Sequence, residues 1–107
     1  GQLTPQAAAK LLPDRATLAC VWRYLAAVPG GSLQESPLCL CRKIVRRSGT
    51  ELSLEQLLTC LDIFRDVGLL EEKRIHLTVA IRLRTVSGKA DLTKSETMQT
   101  LLRAKES

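Results

Sequence analysis

Four cysteines, Cys20, Cys39, Cys41 and Cys60, and a single histidine, His76, are the side chains with the plainest claim to metal or nucleophile chemistry. A structural zinc site needs a full set of ligands, commonly two Cys-x-x-Cys-like knuckles, or one such knuckle with a pair of histidines. This chain has one Cys-x-Cys, two isolated cysteines and a distant histidine. Residues two apart on a helix face different sides, so Cys39 and Cys41 do not form a knuckle. The cysteines read instead as reduced thiols used as small apolar residues. His76 falls on the outer side of an alternating segment, with no nucleophile or orienting acid in sequence reach, and reads as a solvent-facing strand residue. Neither a Walker-type phosphate loop, a Gly-x-Gly-x-x-Gly loop nor a Gly-x-Ser-x-Gly elbow occurs; Gly30-Gly31-Ser32 is a turn. No catalytic residue, metal ligand or cofactor is therefore expected in this segment.

The chemistry that remains is charge. Arg42, Lys43, Arg46 and Arg47 form one basic group, with no acid from Pro37 to Ser48. Lys73, Arg74, Arg82, Arg84 and Lys89 form a second, against Glu71 and Glu72. By strand parity Arg74, Arg82 and Arg84 share a face. Such faces can neutralise phosphates and release counterions; the competing reading is a solvated helix face and a charged edge strand that deters aggregation. From Glu51 to Asp66 the balance reverses, with Glu51, Glu55, Asp62 and Asp66 against Arg65. Glu55, Asp62 and Asp66 are therefore candidates for docking a protein.

These residues need elements to hold them. Residues 1–13 read as a lead-in or linker remnant, in which Thr4-Pro5 can cap two helical turns that Pro13 stops. A helix is expected over 14–27, capped by Asp14, with Leu18, Val21, Trp22 and Leu25 on its apolar side. Pro29-Gly30-Gly31-Ser32 breaks the chain. A second helix is expected over 36–47, capped by Ser36, with Leu38, Cys41, Ile44 and Val45 buried and Gly49 at its left-handed end. A third is expected over 54–67. Ser53 and Gln56 make its capping box, Leu52 and Leu57 its hydrophobic staple, and Leu54, Leu57, Leu58, Leu61 and Phe64 its buried face. Past Gly68 the period becomes two: Ile75, Leu77, Val79, Ile81 and Leu83 alternate with Arg74, His76, Thr78, Ala80, Arg82 and Arg84, which is a half-buried strand. Leu69 and Leu70 start a shorter partner, residues 71–74 hold the turn, and Ser87-Gly88-Lys89 ends the hairpin. A last helix over 95–105 packs back through Met98, Leu101 and Leu102. The expected fold is mainly α within α+β: a winged-helix-like domain over 14–107, with three helices, a hairpin wing and a short C-terminal helix.

Composition sets the outer bounds. The 107 residues suit one domain. An apolar share of 45% and a mean hydropathy of +0.01 fit neither a disordered tail nor a membrane protein. The N-terminal residues carry no secretory pattern. Gly1 in place of an initiator Met reads as a residue left by tag cleavage, so a cytoplasmic fragment of a larger protein is expected. Trp22, Tyr24 and Phe64 are the only aromatic residues, too few for a platform that stacks successive bases. The net charge of +5 favours a polyanionic partner.

The stretches DRATLACVWRYL, LSLEQLLTCLDIFRDVGLLE and GKADLTKSETMQTLL together resemble the C-terminal segment of some bacterial RecJ proteins, single-strand-specific 5′→3′ DNA exonucleases. Phe64 to Leu70 spells the family's helix end, Phe-x-x-x-Gly-Leu-Leu. Lys89, Asp91, Leu92 and Ser95 spell its tail, although the usual aromatic after that serine is missing and Met98 stands nearby. The resemblance implies that catalysis and its divalent metal reside in DHH phosphoesterase domains, none of whose motifs occurs here. This segment would then be an accessory domain that contacts single-stranded or duplex DNA non-specifically, or docks the parent's catalytic core or a DNA-repair protein. A protein-interaction winged helix and the DNA-binding domain of a transcription regulator are the alternatives. The acids of the third helix oppose the latter, because a helix that enters the major groove should not repel phosphates.

Overall fold

The computed structural model describes residues 3–85 and 88–106; Gly1 and the Ser87 of the expected break lie outside them. Capping sets most helix starts. Thr4 accepts from the Ala7 amide and opens α1 (Pro5–Leu11), and Asp14 accepts from Thr17 and opens α2 (Arg15–Ala26). Ser36 opens α3 (Pro37–Ser48), and Ser53 with Gln56 forms a complete capping box on α4 (Leu54–Asp66). Each cap satisfies an amide that the helix cannot bond internally. Gly49 closes α3 at φ 72°, a conformation open to glycine at no steric cost. The helix α5 (Glu96–Glu106) ends the described chain.

Three strands complete the domain: β1 (Ser32–Glu35), β2 (Leu70–Ile75) and β3 (Thr78–Leu83). They form an antiparallel sheet in the order β1-β3-β2. Leu33 and Glu35 of β1 lie opposite Ile81 and Val79 of β3, and Leu70, Glu72 and Arg74 of β2 lie opposite Leu83, Ile81 and Val79. Directly opposed residues share a face. The buried Val79 and Ile81 therefore mark the inner face, and Ser32, Gln34, Glu71, Lys73, Ala80 and Arg82 the outer one. From α2 to β3 the order is helix, strand, helix, helix, strand, strand. This α+β architecture is compatible with a winged-helix-like fold.

The core is aliphatic around one aromatic residue. Leu25, Leu40, Ile44, Leu57, Leu61, Ile63, Leu70 and Val79 are fully enclosed with Phe64, whose ring centroid lies 5.3 Å from that of Trp22. On α3 the buried seam is Leu40, Cys41 and Ile44, whereas Leu38 is 48% exposed. Leu38 sits about 60° beyond Cys41 on the helical wheel, off the seam that Leu40 and Ile44 share.

Several expectations change. The break before α3 contains β1, a four-residue strand. The hairpin turn lies at His76 and Leu77, not at 71–74, which belong to β2. Glu72 and Arg74 face inward there, a pattern with no apolar alternation for periodicity to detect. Residues 5–11, read within a lead-in, form a helix that packs along α5 and touches α4, with Ala8 fully buried. On α5 Leu101 is buried and Met98 half-buried against the core, but Leu102 faces solvent.

Candidate nucleic-acid interface

On α3, Arg42, Lys43, Arg46 and Arg47 are all exposed. At 100° per residue they occupy an arc of about 140° opposite the buried seam. Lys43 donates to Glu35 at the end of β1 over 2.6 Å, and that carboxylate holds the lysine proton more tightly than usual. Arg42, Arg46 and Arg47 make no ion pair and no side-chain hydrogen bond among the described residues. Their guanidinium groups are therefore available to an external anion.

The second basic group is arranged differently. Arg82 donates to Glu71 across the outer face over 2.8 Å. Arg74 is on the opposite, inner face, so the shared face expected for Arg74, Arg82 and Arg84 is not formed. The reason is the turn at His76 and Leu77, which puts Arg74 on a different strand from Arg82. Arg74 donates to Glu72 and, over 2.8 Å, to Asp62 of α4. Arg65 joins at 3.4 Å from Asp62 and 3.8 Å from Glu72, whose side chain is 1% exposed. Two carboxylates and two guanidiniums thus neutralise each other between α4 and β2. Burial pushes the Asp62 carboxyl above its ordinary value, and Arg74 and Arg65 draw it partly back. Lys73, Arg84 and Lys89 are exposed and make no ion pair among the described residues.

The three acids considered for docking are separated by role. Glu55 is exposed at the start of α4. Asp62 is in the cluster just described. Asp66 accepts from the Ser95 hydroxyl at 2.8 Å and from the Thr97 amide at 2.9 Å, and so caps α5 from another element. Burial raises its pKa, but the hydrogen bonds from Thr97 and Ser95, helped by Arg65, more than reverse this, and the carboxyl lies below its ordinary value.

α4 is largely enclosed by its neighbours. Leu57, Thr59, Cys60, Leu61, Ile63 and Phe64 are all buried, spanning about 200° of its circumference. α1, α2, α3, α5 and β2 all pack on it. The strip left to solvent carries Glu55, Arg65 and Asp66, with Asp62 half-buried among them.

The cysteines are all free thiols. Cys60 is enclosed and burial pushes its pKa up to about 12; burial also raises Cys41, which donates to the Leu52 carbonyl at 3.2 Å. Hydrogen bonds from the Ser48 and Thr50 hydroxyls lower Cys20, which lies 3.5 Å from Thr50 Oγ1. Cys39 is exposed on α3. Among the described residues no three His, Cys, Asp or Glu side chains converge as a metal site would require. His76, expected on a strand, is in the turn at φ 56°. No described helix is long and apolar enough to cross a membrane.

Sequence patterning alone missed Glu35, Glu72 and the capping role of Asp66. Asp66 has partners 29 and 31 residues away and Glu35 pairs with a residue of another element, while Glu72 pairs with its own strand neighbour Arg74 on an inner face that the misplaced turn hides. Compared with protein families, curated proteins and solved structures, the chain finds no match in any of the three.

Proposed function

We propose that this chain is a non-catalytic, winged-helix-like accessory domain of a RecJ-like single-strand-specific exonuclease. In this reading it holds the DNA backbone non-specifically through α3. The observation that carries the reading is the exposed row Arg42, Arg46 and Arg47, which has no acid partner among the described residues. Guanidinium groups of this kind engage phosphate oxygens with directed, charge-assisted hydrogen bonds. The wing contributes less than its composition suggests, because Arg74 and Arg82 already have carboxylate partners. Sequence-specific reading through α4 is disfavoured by its acids and by the elements packed around it. Docking of a protein on Glu55, Asp62 and Asp66 has less support, since two of the three carboxylates are engaged within the domain.

Fluorescence anisotropy with a labelled single-stranded oligonucleotide tests the proposal. Binding should weaken with salt, with a log–log slope of about −0.7 per phosphate neutralised. The double variant Arg42→Glu and Arg46→Glu should lower affinity by roughly tenfold or more and flatten that slope by about 1.4. Absence of binding at low salt, or an unchanged slope in the variant, would overturn the assignment to α3.

A further inference from the structure

Three of the exposed large apolar side chains gather at one end of the sheet. Leu77 is 85% exposed, Ile75 47% and Leu38 48%. Ile75 and Leu77 flank His76 in the hairpin turn, and Leu38 lies in the first turn of α3. The register brings them to the same end: Glu35, which leads into α3, pairs with Val79, the second residue of β3 after the turn. The Lys43–Glu35 contact fastens the basic helix to that same corner.

The hairpin is built to hold its tip in place. Arg82–Glu71 braces the outer face, and Arg74 ties the inner face to Glu72 and to Asp62 of α4. Thr78 Oγ1 donates to the Ile75 carbonyl over 2.9 Å and closes the turn. Arg74 and Arg82 are neutralised within the domain, so the wing presents the apolar Ile75 and Leu77 at its tip, with the exposed Lys73 behind them and the basic α3 leading off the neighbouring end of β1. Apolar side chains on a stiff projection are how proteins cover or part stacked base pairs, while cationic groups alongside hold the phosphates.

We propose that the wing tip, Leu77 supported by Ile75, packs against the terminal base pair of a DNA duplex that carries a single-stranded tail. The α3 arginines hold the adjoining backbone. This rests on the α3 reading above and adds the DNA form that the domain prefers. α3, which leads off that end of the sheet and is fastened there by Lys43–Glu35, carries the unpaired arginines, and this charge selects nucleic acid over a neutral protein pocket as the occupant.

The test compares three oligonucleotides, a single strand, a blunt duplex and the same duplex with a single-stranded tail. 2-Aminopurine is placed at the terminal pair next to the tail. The wild-type chain should bind the tailed duplex at least about fivefold more tightly than either alternative and change the 2-aminopurine emission. Leu77→Ser should abolish both the preference and the emission change while leaving single-strand affinity intact. Leu77→Trp, with a larger stacking surface, should strengthen the preference. Equal binding of tailed duplex and single strand by the wild type would overturn the wedge and leave the α3 reading standing. So would a Leu77→Ser effect of equal size on all three ligands. No salt-dependent binding to any of them would overturn both.

Discussion

Asp66 shows how one carboxylate can join two elements distant in sequence. It accepts from Ser95, whose side chain is fully buried, and from the Thr97 amide in the first turn of α5. Asp66→Asn keeps the size but removes the charge that strengthens both bonds. It should lower stability by about 1–2 kcal/mol, towards the lower figure because Asp66 itself is solvent-facing. Urea denaturation measures this. The pH dependence follows from the direction of the shift: the folded pKa is below the unfolded one. The contribution of the carboxylate is therefore complete above about pH 4 and lost as pH falls through the folded value. The gap between wild type and variant should close over that acidic window. Local caps such as Asp14, Ser36 and Ser53 were legible in the sequence because cap and amide are three residues apart. Asp66 was not, because its partners lie 29 and 31 residues away.

The helices were largely legible as elements, since amphipathic periodicity and caps both point to them. The sheet was legible only where it alternates. β3 has buried Val79 and Ile81 at period two, whereas β2 carries Glu72 and Arg74 on its inner face, held there by Asp62 and Arg65. A charged cluster of that kind erases the pattern by which a strand is recognised. β1 is too short to show a period, and it follows a glycine turn that masks its start. For α3 the C-terminal glycine was readable and has a definite energetic consequence. Gly49 is at φ 72° with nothing within 4 Å of where a Cβ would stand. Gly49→Ala should therefore cost about 1 kcal/mol, from backbone conformation alone. On a domain of this size that is a fall of about 4–8 °C in Tm, readable by circular dichroism. The basic strip of α3 was readable from composition; the internal pairing of the wing arginines required the turn position, which the sequence misplaced.

In the whole molecule, α1 and α5 form a cover over α4 that joins the two ends of the described chain. Ala8 and Leu101 are buried, at 0% and 6% exposure. Deleting residues 1–13 should strip apolar surface from α5 and cost about 2 kcal/mol. Hydrogen exchange should show the amides of α5 losing protection first, with β3 the last to open. The placement of β3 also has a mechanical consequence. It is bonded on one side to β2 and on the other to β1, and β1 runs directly into α3. A push on the hairpin along the strand axis loads both ladders in shear and is carried to the helix that bears the arginines. A sideways pull would instead unzip β2 one pair at a time. The projection is thus a stiff strut for head-on thrust and a weak one for lateral force, and any work done at its tip must be delivered along its length.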